Sequence, residues 1–287
     1  GEPLLRDDLE DIIAAVDGRS VVKLFTTGYS LTKERAKALK KAGLFSINIS
    51  LDSRDRAVHD RGCGFAGAFD IALEAIEHAK KASLLTCVAT VATRNSVLGG
   101  EMDTFLRFLK KRGVDEVSIF EPAPTGKLSF HEEVLLDDDE RRALHDLHKE
   151  INKSADKRYP RVFSFPYIEG SSYMGCGAGC TRLHVTALGH VTPCDFTSVS
   201  FGNVQRENID TIWSRMRQYF NKPECGCFIL NNFRRLREMY DDQSGVADGE
   251  MLAEREEMMK EGHSPVFYKL LMDTQQFIKN RRMQIGR

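Results

Sequence analysis

Cysteine is the residue type in this chain with the clearest capacity for chemistry. Seven cysteines occur in 287 residues, and five of them fall in two short stretches. The first reads Cys176-Gly177-Ala178-Gly179-Cys180 and runs on to Gly189-His190-Val191-Thr192-Pro193-Cys194; the second is Cys225-Gly226-Cys227. An odd count with this clustering points to metal binding or redox chemistry rather than a disulfide framework. Cys63 and Cys87 stand apart and read as small apolar residues. Four thiolates suit an iron–sulfur cluster and also suit tetrahedral zinc. Structural zinc sites usually pair two CxxC knuckles, whereas this chain has CxxxC and CxC and no CxxC. Spacing alone leaves iron–sulfur, zinc and no metal open. Gly177, Gly179, Gly189 and Gly226 supply the tight turns that a metal loop needs. His184 and His190 could each replace a thiolate, but both read as structural.

The elements that must position these thiols follow from periodicity. Residues 7–17 read as a short amphipathic helix with Leu9, Ile12, Ile13 and Val16 on one face. Apolar strands are expected at 21–25, 45–51, 84–92 and 116–120. Helices lie between them: one capped by Thr32 and ended by Gly43, one built on Phe69, Ala72, Leu73, Ile76 and Ala79, and one over 102–112. Residues 54–67 read as a loop. This alternation through residues 20–126 predicts parallel strands. Polar and glycine-containing segments follow each strand, at 26–28, 50–53, 93–95 and 121–126. They form either the mouth of an α/β barrel or the crevice of an open sheet. A helix carrying Leu144, Leu147 and Ile151 follows a solvated acidic run at 137–140. It reads as a connection, ending near residue 160. Residues 161–230 are richer in glycine and cysteine, with short strands near 183–187 and 190–193 and a helix at 208–219. Residues 231–287 are helical in propensity and heavily charged, with an exposed loop at 243–249.

Composition narrows the partners. The net charge is −1 with mixed signs, which argues against a nucleic-acid or polyanion partner. No apolar run approaches the ~20 residues of a membrane span. No secretory signal pattern is present, so the cytoplasm is the expected compartment.

Taken in order, these motifs resemble the radical SAM family with a C-terminal SPASM or Twitch domain. Gly1-Glu2-Pro3 is similar to the end of the family's Gly-Gly-Glu-Pro motif. Thr26-Thr27-Gly28 resembles its Thr-Asn-Gly, with Thr27 in place of Asn. Ile49-Ser50-Leu51-Asp52 resembles the fourth-strand motif, and His59-Asp60-Arg61-Gly62 with Gly67-Ala68-Phe69 the loop into the next helix. The SPASM pattern is a Cys, nine to fifteen residues, Gly, four residues, then Cys. Cys176, Gly189 and Cys194 satisfy it. Phe201-Gly202-Asn203-Val204 and Asn208 to Trp213 resemble its next segment.

The resemblance implies an α/β fold. A partial (β/α)6 barrel lacking its first strands would cover residues 1–128 and a helical linker 129–160. A small Fe–S (SPASM/Twitch-like) domain would cover 161–230, followed by a helical C-terminal tail at 231–287. It implies S-adenosyl-L-methionine as cofactor, bound through Gly1, Glu2, Pro3, Thr27, Ser50 and Asp52, with Glu2 on the amine and Ser50 and Asp52 near the ribose. It favours iron–sulfur over zinc. One auxiliary [4Fe-4S] cluster would lie on Cys176, Cys194, Cys225 and Cys227, with Cys180 as the substitute. In the family, a reduced cluster on a CxxxCxxC loop cleaves the cofactor to a 5′-deoxyadenosyl radical, which abstracts hydrogen from a substrate. That loop is absent from this sequence, which begins inside the Gly-Gly-Glu-Pro motif and so reads as an N-terminal truncation. By that reading the chain alone does not cleave the cofactor. Further partners implied are a peptide or small-molecule substrate and a cellular electron donor. The rival readings are a zinc-binding scaffold and an inert fragment. Glu121, Lys127 and Arg182 read as surface charges.

Overall fold

The computed structural model describes residues 1–154, 157–238, 247–248, 265 and 272. The chain divides into two compact units: 1–122 with 136–164, and 123–135 with 165–287.

The first unit alternates as periodicity requires. Its helices α1 (Leu9–Ala14) and α2 (Lys33–Ala42) flank strand β1 (Val22–Thr26). Strand β2 (Leu44–Ser50) leads to α3 (Arg56–Cys63) and α4 (Ala68–Lys81). Strand β3 (Leu85–Val91) leads to α5 (Arg94–Leu98) and α6 (Glu101–Lys111), and β4 (Glu116–Phe120) precedes α7 (Asp138–Ser154) and β5 (Arg161–Ser164). The five strands form one parallel sheet in chain order. The expected caps hold α2: the Thr32 side chain accepts from Arg35 N, and Gly43 ends the helix at φ 112°.

Alternation sorts the sheet's two faces. Leu24, Ile47, Ile49, Val88, Val117, Ile119 and Val162 join helix residues such as Ala36, Leu39, Ala72, Ile76 and Leu106 in the core. The opposite face carries Phe25, Asn48, Cys87 and Glu116 in one register row. The Phe25 and Phe120 rings meet edge to face at 6.5 Å, although β1 and β4 would lie roughly 14 Å apart in a flat sheet. The sheet therefore curls, with this face concave, as a barrel wall does.

Two boundaries differ from expectation. Residues 161–164 do not open the cysteine-rich domain: they form β5, paired with β4 from Glu116↔Arg161 to Ile119↔Ser164. The expected linker helix α7 belongs to the sheet unit because it buries Leu144 and Ile151 there. Asn152 also brackets Val162, donating to its carbonyl at 2.7 Å and accepting from its amide at 3.2 Å. Residues 123–135 group with the second unit instead. The stretch read as a loop over 54–67 contains α3, capped by the Asp55 carboxylate on Ala57 N and Val58 N. The acidic run is only partly solvated: Asp137 and Glu140 cap α7 reciprocally, and Glu140 is 2% exposed.

The second unit contains α8 (Phe165–Ile168), strands β6 (His184–Val185), β7 (Val191–Thr192) and β8 (Val199–Ser200), and helices α9 (Ile209–Tyr219) and α10 (Phe228–Arg237). Its own core gathers Val191, Phe201, Ile212, Met216, Phe220 and Phe228 around three of the cysteines. Most of the expected helical tail, and the loop expected at 243–249 apart from residues 247–248, lie outside the described residues. No described helix is long and apolar enough to cross a membrane.

Candidate functional site

Glu2 is the best-held polar group of the first unit. Its Oε1 accepts from Leu4 N at 3.1 Å and from the Thr26 hydroxyl at 2.5 Å. Its Oε2 accepts from the Thr27 amide at 2.8 Å and the Thr27 hydroxyl at 2.6 Å. Burial works against ionisation, but the Thr26, Thr27 and Leu4 donors outweigh it and hold the carboxyl below its usual range. The loop that supplies these donors needs its glycine: Gly28 sits at φ 87°, and a Cβ there would come within 2.6 Å of Ala75 Cβ. Arg35 fixes the approach by donating to the carbonyls of Leu4 at 2.6 Å and Arg6 at 2.5 Å.

A carboxyl depressed in the folded state adds stability above its unfolded pKa, near 4.5, and that stability is lost as pH falls through the folded value. Glu2→Gln is therefore expected to cost about 1 kcal/mol at pH 7, allowing for solvent screening. The difference from the parent should begin to shrink as pH falls below 4.5 and vanish only below the lowered folded value. Urea melts at about pH 7 and along an acid series check this.

The structure brings three of the six expected cofactor residues together. Glu2, Thr27 and Ser50 line one concavity of about 340 Å³, with Tyr29, His59 and Phe65. Gly1 and Pro3 flank Glu2; Pro3 opens a short 3₁₀ turn and Gly1 is exposed. Asp52 lines a different concavity, of about 240 Å³. Its Oδ1 accepts from Val91 N at 2.9 Å and Thr90 Oγ1 at 3.4 Å, tying the ends of β2 and β3. Asp52 thus acts here as a strand-end cap. His59, expected only as part of the loop into the next helix and not as a site residue, is 3% exposed. Its Nδ1 accepts from Asp52 N at 3.2 Å, and Cys63 Sγ lies 3.5 Å from Nε2. Burial lowers the His59 pKa, against the pull of Asp52 and Asp60. Cys87 is an apolar-site thiol, pushed up to about 12 mainly by burial.

The second unit assembles the clustered thiols. A backbone bridge joins the two stretches: Cys176 N donates to Glu224 O at 2.7 Å, and Glu224 N to Cys176 O at 3.3 Å. This bridge brings Cys227 into hydrogen-bond contact with Cys176. The turn between β6 and β7 carries Gly189 at φ 84° and returns the chain to Cys194. Gly179 sits at φ 65°, so close to the Phe220 ring that a Cβ would come within 2.5 Å. Cys176, Cys180 and Cys194 are 4%, 6% and 3% exposed, while Cys225 and Cys227 are half-buried. His190 is structural, with Nδ1 3.0 Å from Ser200 Oγ.

These surroundings favour the thiolate at Cys176 and disfavour it at Cys227, Cys180 and Cys194. The Cys227 hydrogen bond, with the Phe228 and Ala178 amides, draws the Cys176 thiol down to about 7 against its burial. The same hydrogen bond and burial push Cys227 up. Burial raises Cys180 and Cys194 too. Among the described residues no three His, Cys, Asp or Glu side chains stand close enough for a single metal ion. A multi-iron cluster takes thiolates set wider apart, and an all-thiol donor set is what such a cluster uses.

Two residues read as surface charges are not. Glu121 is 11% exposed at its side chain and pairs with Arg141 at 2.7 Å. Arg182 reaches inward: its Nη2 donates to Glu169 Oε1 at 2.5 Å and lies 3.7 Å from Cys176 Sγ. Arg182 lies six residues after Cys176, and position alone carries no signal that it turns toward the thiols.

Comparison with known proteins agrees with this arrangement. Residues 1–111 match the radical SAM superfamily, and residues 176–239 match SPASM, an iron–sulfur cluster-binding domain. An AdoMet-dependent heme synthase from Methanosarcina barkeri is 27% identical over 233 residues, 74% of this chain and 66% of that protein. A probable GTP 3′,8-cyclase from Sulfolobus acidocaldarius is 34% identical over 207 residues, 68% of this chain and 63% of that protein. The chain thus spans just under two thirds of the length of these relatives. Among solved structures, Streptococcus suis SuiB bound to precursor peptide SuiA shares the fold, with a TM-score of 0.58 at 15% identity over 74% of this chain and 52% of that one. So does anSMEcpe with bound AdoMet and the Cp18Cys peptide, with a TM-score of 0.58 at 19% identity over 76% of this chain and 66% of that one. The two family models cover strands β1 to β3 of the parallel sheet and then the thiol-rich stretch of the chain: the chain belongs to the radical SAM superfamily and carries a SPASM iron–sulfur cluster-binding domain.

Proposed function

We propose that the protein is a radical SAM enzyme. This chain supplies the wall that receives the amino end of S-adenosylmethionine and the domain that holds an auxiliary [4Fe-4S] cluster. The observation that carries the reading is the Glu2 carboxylate, fixed by four donors and facing the same concavity as Thr27 and Ser50. When bound, the cofactor and a reduced cluster supply a carbon-centred radical that removes a hydrogen atom from the substrate. Glu2 presents a fixed negative charge to the cofactor's ammonium group, and Ser50 offers its hydroxyl within the same concavity. Thr26 and Thr27 keep the carboxylate oriented. In the second unit Cys176, Cys194, Cys225 and Cys227 hold the auxiliary cluster, with Cys180 as the substitute. These thiols would each give up a proton to hold it.

A peptide is the substrate class we put first. The solved structures of SuiB with SuiA and of anSMEcpe with Cp18Cys support it. The relatives with higher sequence identity, a heme synthase and a GTP cyclase, support a small-molecule substrate as the second reading. A cellular electron donor completes the proposed partners.

Equilibrium dialysis of the anaerobically reconstituted chain against radiolabelled S-adenosylmethionine tests the Glu2 role. Glu2→Gln is expected to weaken retention at least about tenfold, the loss of one charge-assisted contact. Equal retention by parent and variant would refute it.

A further inference from the structure

Among the described residues of the second unit, one buried side-chain polar atom without a hydrogen-bond partner belongs to Arg182, whose Nη2 lies beside Cys176. Arg182 Nε is fully enclosed and has no hydrogen-bond partner. Nη2 of the same guanidinium is engaged: it donates to Glu169 Oε1 at 2.5 Å and stands 3.7 Å from Cys176 Sγ. Glu169 is itself fixed, being 8% exposed and accepting at its carbonyl from Gly226 N at 2.7 Å. The arm between Cys225 and Cys227 therefore holds the residue that aims Arg182. A guanidinium that meets a carboxylate often closes both prongs of its fork on it, and an enclosed donor without an acceptor is costly; the Arg182 side chain as a whole is 33% exposed. Here the Nε–H has no acceptor, on a guanidinium whose Nη2 lies 3.7 Å from Cys176 Sγ.

We propose that Arg182 is the potential-setting residue of the auxiliary cluster, its Nε–H awaiting a cluster sulfur and its positive charge fixed by Glu169. This rests on the reading that the surrounding cysteines hold an iron–sulfur cluster. A cluster bound by thiolates is anionic, and reduction adds one electron and no proton, making it more so. A fixed cation and an N–H donor to sulfur both stabilise the added charge, so the reduced state is favoured and the potential raised. Glu169 moderates the effect by neutralising part of the guanidinium charge. The guanidinium keeps its charge at any working pH.

The test is a spectroelectrochemical titration of the reconstituted full chain, run beside iron analysis, with dithionite as the reductant. Arg182→Met removes the charge and the donor. At the potential where half the parent cluster is reduced, its ratio of reduced to oxidised cluster is expected to fall by at least about tenfold. Arg182→Lys, which keeps the charge and loses the planar fork, is expected to fall between the two. An Arg182→Met chain with full iron and an unchanged titration curve overturns the proposal. Should Arg182→Met fail to hold iron, Glu169→Gln decides: release of the guanidinium from its carboxylate should raise the reduced fraction, and an unchanged fraction overturns the proposal. A parent chain that takes up no iron removes the underlying cluster reading and this proposal with it; iron in the parent with no response at Arg182 or Glu169 removes the proposal alone.

Discussion

Cys227→Ala is expected to lose the auxiliary cluster almost completely, falling from about four irons per chain to below about one. Cys227 is the thiol in hydrogen-bond contact with Cys176, and the backbone bridge between Cys176 and Glu224 holds the two stretches in register. Without this sulfur, the lowered Cys176 thiol loses its largest stabilising partner, and the second stretch loses a ligand at its base on α10. Cys225→Ala and Cys180→Ala sharpen the result. The account assigns the fourth thiolate to Cys225, so Cys225→Ala should follow Cys227→Ala, and Cys180→Ala should keep its iron. The reverse order would exchange the two. Iron and acid-labile sulfide assays on the reconstituted variants read this directly.

Leu39→Ala is expected to destabilise the sheet unit by roughly 2–5 kcal/mol, through lost burial and the cavity left behind. Leu39 is 0% exposed on α2, among the residues that cover β1 and β2. The substitution leaves every cysteine and its hydrogen-bond partners in place. Denaturant melts should show the loss, while iron per folded chain stays at the parental value. A fall in iron equal to that of Cys227→Ala would show that the thiol site depends on the sheet core.

The strands were legible because each is a short apolar run closed by polar or glycine residues. Observed and expected bounds agree within one or two residues for β1 to β4. The caps of α2 were legible because Thr32 and Gly43 act locally. β5 was not, since Arg161-Val162-Phe163-Ser164 is a four-residue strand whose only signal is pairing with β4. α3 was hidden because its residues include Gly62 and three charges, Arg56, Asp60 and Arg61, and its stability comes from the Asp55 cap and from burial of His59. In the site, cysteine spacing pointed to Cys176 and Cys194, and the Gly-Glu-Pro motif to Glu2. Asp52 illustrates the limit: a motif names a residue, while the strand ends decide that its Oδ1 ties β2 to β3. Arg182 shows the converse. Its role depends on Glu169, thirteen positions away, and no local pattern couples them.

The central claim is that the thiols of the second unit hold an iron–sulfur cluster. Iron, sulfide and zinc per chain, measured after anaerobic reconstitution together with the visible spectrum, test it most directly. The account predicts about four irons and about four sulfides per chain, little zinc, and a broad charge-transfer absorption that bleaches with dithionite. One zinc per chain in a colourless protein would contradict it.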